Sequence, residues 1–224
     1  DEIGIGCAGG LDITATKTYE EVEIPENTTA FSIAITGLRG GHSGMDIHKG
    51  LGNANKIMNR LLSDGFTNFG LRIAEINGGS LRNAIPRESF AKVVVDSISR
   101  ASFLFETNAL ITQIKNEFST IEPNLSIKIE EISQLKNVVE LGVQESFLRA
   151  MYAALNGVYK MSPDVEGLVE TSNNIAKVDL KNGKIQIGCL TRSSSESSKL
   201  DLANSIRSSF ELAGFEVEFS GAYP

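Results

Sequence analysis

Scarcity narrows this 224-residue chain before any motif does: it has two cysteines and two histidines. Cys7 and Cys189 lie far apart, which fits a reducing cytosol better than a disulfide framework. His42 and His48 match neither the i, i+4 spacing of a helical zinc pair nor a CxxC arrangement, so no metal site is expected within the chain. Positive charge is also in deficit. Lys and Arg number 21 against 28 Asp and Glu, a net charge of −7 that argues against nucleic acid as a partner. No run approaches the roughly 18 consecutive apolar residues of a spanning helix, so no membrane association is expected. No secretory signal stands at the N-terminus, and the expected location is the cytoplasm.

What is present reads as a globular α+β chain. "TTAFSIAITGL" alternates Phe31, Ile33 and Ile35, a half-buried strand. Ile47, Leu51, Ala54, Met58, Leu61 and Leu62 recur at helical spacing, predicting a helix over residues 46–63 capped by Asp46 or Ser43. Gly50 and Gly52 would each weaken that helix by about 1 kcal/mol relative to Ala, which suggests close packing there. "LRIAEING" and "SFAKVVVD" are two further strands, residues 100–120 a second helix, and "LSIKIEEI" a strand. The order is β-α-β-β-α-β.

The rest echoes it more weakly. A β-type run is read over Thr18–Ile24, and helices are expected over 138–155 and 198–213. Asn182-Gly183 between "GLVETSNNIAKVDL" and "KIQIGCLTRS" is a strong hairpin signal, and "GFEVEF" closes as a strand. Two ferredoxin-like β-α-β-β-α-β units, about 17–132 and 133–220, imply a two-layer sandwich: a largely antiparallel sheet with helices on one face.

Candidate chemistry centres on three residues. "GLRGGHSG" lacks the ending of a phosphate loop, and no G-x-S-x-G elbow exists among the serines. "RSSSESS" reads as a solvated loop with a helix cap. His42 projects from a glycine turn, where an imidazole can donate to a developing negative charge, or merely cap. Asn83 in "GGSLRNAIP" can hold a ligand amide or cap a turn. Arg192 ends a strand and can grip a carboxylate or simply face solvent.

"GLRGGHSGMDIHKGLGNANKIMNRLL", "INGGSLRNAIPRESF", "GLVETSNN", "CLTRSS" and "GAYP" together resemble aminoacyl-histidine dipeptidases. These belong with carnosinases, aminoacylases and glutamate carboxypeptidases among the co-catalytic di-zinc metallopeptidases. The similarity runs from "CAGG" at residues 7–10 to the last residue, and it is to the inserted lid, or dimerisation, domain. The resemblance implies that residues 1–224 are that lid, with two zinc ions held by a catalytic domain outside it and no cofactor in the lid itself. Asp1 and Glu2 are therefore not carried over as ligands.

By motif, His42 matches the lid histidine that bonds the substrate carbonyl and its oxyanion, in dimeric members from the partner subunit. Asn83 matches a substrate-contacting asparagine, and Arg192 an arginine holding the substrate's C-terminal carboxylate. His48 matches no role. The implied partners are the chain's own catalytic domain, a second copy and an Xaa-His dipeptide. Two alternatives stay open: a non-enzymatic ferredoxin-like interaction module, in which these residues should scatter, and the lid of a related aminoacylase or tripeptidase.

Overall fold

Phe31, Ile33 and Ile35 form the buried face of a strand, Thr28–Thr36, as their alternation requires. It belongs to a nine-stranded, wholly antiparallel sheet in the computed structural model, which describes residues 8–223. Asp1, Glu2, Cys7 and Pro224 lie outside the described residues.

The strands are β1 (Gly9–Thr18), β2 (Glu21–Glu23), β3 (Thr28–Thr36), β4 (Gly41–His42), β5 (Arg72–Gly78), β6 (Ala84–Ile85) and β7 (Ser89–Asp96). They continue with β8 (Ser126–Glu131), β9 (Asn137–Val139), β10 (Gly157–Met161), β11 (Val169–Lys181), β12 (Lys184–Ser193) and β13 (Glu216–Tyr223). The helices are α1 (Ala54–Phe69), α2 (Arg100–Glu117), α3 (Leu141–Ala153) and α4 (Glu196–Glu211). In the sheet the order is β13-β1-β12-β11-β5-β7-β3-β8, with β10 beside β11.

The β-α-β-β-α-β run read over the first half is β3-α1-β5-β7-α2-β8, and its strands are neighbours. The other group, β13-β1-β12-β11, draws a central strand from residues 9–18, outside the stretch 133–220. Leu11, Ile13 and Ala15 alternate inward along β1, so the ten-residue register with β12 buries them. This α+β sandwich has one main core. Phe103, Ile111 and Ile114 of α2, Phe147 and Met151 of α3, and Leu202, Ile206 and Phe210 of α4 join the sheet's apolar face in it. Ala30, Ala74 and Val94 form a smaller cluster with Val138, over which the β2–β9 ribbon lies.

Three expectations about boundaries are corrected. First, α1 starts at Ala54, not 46: Ile47–Lys49 makes one 3₁₀ turn, ended by Gly50 in the left-handed region (φ 71°). Its cap is Asn53, whose side-chain oxygen accepts from the Asn55 and Lys56 amides at 3.0 and 3.2 Å. Second, α3 starts at Leu141 because Asn137–Val139 is occupied in pairing with Glu21–Glu23. Third, the N-terminal strand is Gly9–Thr18, and the expected Thr18–Ile24 run is divided: Thr18 ends β1 opposite Lys184, and Glu21–Glu23 pairs separately with β9. The Asn182-Gly183 hairpin forms as read, with both residues at positive φ (50° and 72°).

Candidate functional site

The glycine turn presents His42 on β4, a two-residue strand paired with β6 so that His42 faces Ala84. The Ser43 amide donates to the Asn83 carbonyl at 2.8 Å, which places Asn83 beside the histidine turn. Ser43 is buried, and its hydroxyl accepts from Arg192 Nε at 3.3 Å. A single small residue thus joins the His42 turn, the Asn83 turn and the end of β12. Gly44 tightens the junction. A Cβ added there would lie 3.2 Å from Arg192 Cδ and 3.3 Å from His42 Cε1, so the two side chains flank one glycine.

The imidazole is oriented from behind. Its Nδ1 accepts from the Gly44 and Met45 amides at 3.3 and 3.2 Å, so the neutral ring carries its proton on Nε2. His42 lines a cleft of about 630 Å³ together with Arg39, Asn77, Ser80, Asn83 and Arg87. The Asn83 side chain is exposed and has no hydrogen-bond partner among the described residues. Arg192 sits outside the cleft lining, 8% exposed, with its guanidinium carbon 6.0 Å from the Tyr223 ring centre. Among the described residues no carboxylate pairs with it. Its Nε is taken by Ser43, and among the described residues no side chain accepts from its terminal nitrogens.

Asp46 does different work from the helix cap expected of it. Its carboxylate accepts from the His42 amide at 2.7 Å and from Lys49 Nζ at 2.6 Å. The Lys49 bond, then the His42 amide, hold its pKa below the ordinary carboxylate value. Because the folded value is the lower one, this stabilisation is fully present above the ordinary pKa of about 3.9. It is lost as pH falls through the depressed folded value. The His42 turn should therefore be insensitive to pH between about 5 and 8 on account of Asp46 and loosen only in stronger acid. Following the Asp46 side-chain carboxyl by NMR across an acid titration checks this, and a midpoint at or above the ordinary carboxylate value contradicts it.

Local pattern alone missed two supports. Asn174, fully buried on β11, donates to the Arg82 and Ala84 carbonyls at 3.3 and 2.8 Å, bracing the turn on both sides of Asn83. Its signal was the run "ETSNN": residues 170–174 are polar yet all buried in a strand. Asn53 Nδ2 reaches Ile175 O at 3.0 Å and Asn174 Oδ1 at 3.4 Å, tying the start of α1 to the same brace. His48 is exposed and touches none of this. Among the described residues no three His, Cys, Asp or Glu side chains converge as metal ligands.

The family model described as a peptidase dimerisation domain matches residues 33–124, which contain His42 and Asn83. Those residues belong to this family. Over its whole length the chain is 38% identical to the cytosol non-specific dipeptidase of Escherichia coli (strain K12), covering 46% of that protein. Its fold superposes on a crystal structure of aminoacylhistidine dipeptidase from Vibrio alginolyticus with a TM-score of 0.95 at 39% identity. That match covers 98% of this chain and 45% of the other. The chain thus spans less than half the length of either relative. No helix among its described residues is long and apolar enough to cross a membrane.

Proposed function

We propose that this dimerisation domain is the lid of a cytoplasmic, zinc-dependent dipeptidase that hydrolyses Xaa-His dipeptides. Its partners in this reading are its own catalytic domain and a second copy of the chain. The supporting observation is the His42 tautomer: two backbone amides occupy Nδ1 and leave Nε2–H as a free donor. Attack on a peptide carbonyl builds negative charge on its oxygen, and a donor held in place beforehand stabilises that charge without reorganising. Asn83, exposed at the cleft, would contact the substrate, and Arg192 would hold its C-terminal carboxylate through the paired N–H groups of a guanidinium. In this reading the two zinc ions belong to the catalytic domain.

The two relatives differ in name, one non-specific and one aminoacylhistidine, so selectivity is the point to test. Purified polypeptide joining this lid to its catalytic domain is expected to cleave Xaa-His dipeptides faster than matched Xaa-Ala or N-acylated substrates. Residues 1–224 alone are expected to cleave none. Equal rates across the panel would remove the histidine preference; zinc-dependent hydrolysis by the isolated chain would remove the lid assignment. Preference for N-acylated substrates would favour an aminoacylase lid instead.

A further inference from the structure

The clearest unassigned group outside the site is a buried carboxylate. Glu122 lies in the turn between α2 and β8, 2% exposed, and among the described residues no lysine, arginine or histidine pairs with it. Its side-chain oxygens instead accept two backbone amides: Arg39 N at 2.8 Å and Gly52 N at 3.0 Å. These amides come from either side of His42. One carboxylate therefore clasps the two ends of the loop that carries the imidazole.

The clasp is tight. A Cβ on Gly52 would lie 2.7 Å from Leu38 Cδ2 and 3.6 Å from Glu122 Cγ, so a larger residue has no room at the loop's neck. Of the two glycines whose placement suggested close packing, Gly52 shows it, whereas Gly50 sits at positive φ with only Ile121 Cδ1 near, at 3.4 Å. Inside the neck, Gly40, Gly41 and Gly44 leave the chain flexible wherever it is not tied. Pinning both ends removes most of the loop's closure entropy before any substrate arrives. A buried carboxylate with only these partners is costly to keep, so the arrangement points to the loop's geometry as what it serves.

We infer that Glu122 is a positioning residue for His42, acting through the loop rather than on substrate. The inference deepens the oxyanion role proposed above and rests on it. Misplacing a catalytic group by about 1 Å can cost on the order of 10²-fold, so partial loosening should cost about tenfold.

The test uses the full-length polypeptide with Glu122→Gln, which turns an NH₂ group toward one of the two amide donors. Two readouts are taken. In hydrogen exchange, the Gly44 and Met45 amides that hold His42 Nδ1 should exchange about tenfold faster or more, with β11 and β12 unchanged. In kinetics, kcat for an Xaa-His dipeptide should fall about tenfold with KM within about threefold. Adding Glu122→Gln to His42→Ala should then cost nothing further, because neighbours that act as a unit are not additive. Unchanged exchange at Gly44 and Met45 overturns the clasp. An equal kcat loss in both backgrounds overturns its action through His42. If His42→Ala alone leaves kcat unchanged, the oxyanion reading fails and the exchange result by itself decides the loop claim. Glu122→Asp, with both oxygens kept on a shorter arm, is read the same way should the Gln variant not fold.

Discussion

Replacing His42 by Ala in the full-length polypeptide is expected to lower kcat by about 10²-fold or more while KM moves little, the scale of one oxyanion donor, roughly 3 to 4 kcal/mol. The imidazole's Nε2–H becomes useful only as charge accumulates on the attacked carbonyl, so its loss should appear in the turnover step. Steady-state kinetics on an Xaa-His dipeptide checks this. His42→Gln, which retains a donor at similar reach, should recover part of the rate. A change within about threefold for the Ala variant would leave His42 as a turn residue, anchored by Asp46 and Ser43 for structure alone. Loss confined to KM would place it in ground-state binding.

Arg192 carries the second large effect. Its Nε is committed to Ser43 and its stem packs at Gly44, which leaves the terminal nitrogens to meet an incoming anion. Losing a hydrogen bond to a charged group costs about 1.5 to 3 kcal/mol. Arg192→Met should therefore lower kcat/KM by roughly 10- to 150-fold, mainly through KM. Arg192→Lys should recover little, since a single ammonium cannot present the guanidinium's paired donors. The sharper comparison uses a substrate whose C-terminal carboxylate is amidated. Wild type should lose most of its advantage on that substrate, and Arg192→Met should treat both substrates nearly alike. If the variant still discriminates as strongly as wild type, the carboxylate is held elsewhere.

Much of the architecture was legible because it rests on local rules. Alternation placed β3, and Asn182-Gly183 placed the β11–β12 turn. The start of α1 was not legible from periodicity. Ile47 and Leu51 keep helical spacing while Gly50 adopts positive φ and stops the turn, and Asp46 is drawn to the His42 amide. Strand β1 carried its alternation openly, yet its pairing with β12 joins residues more than 160 positions apart, which no window of sequence reports. The site shows the same division. Residue types and motifs named His42, Asn83 and Arg192. Their meeting depends on Ser43 and Gly44, two small residues whose importance is that other chains close on them. Asn174 and Glu122 were hidden for a different reason: both act on backbone groups, and a side chain that bonds carbonyls or amides leaves no partner residue type to look for.

In the proposed role His42 recognises a tetrahedral, negatively charged oxygen, and inhibition by a phosphinic analogue of an Xaa-His dipeptide measures that recognition most directly. In wild-type full-length polypeptide the analogue should bind far more tightly than the cleavage products. In His42→Ala its inhibition constant should rise by the same factor by which kcat/KM falls, with product binding unchanged. A variant that binds the analogue as tightly as wild type would contradict the account.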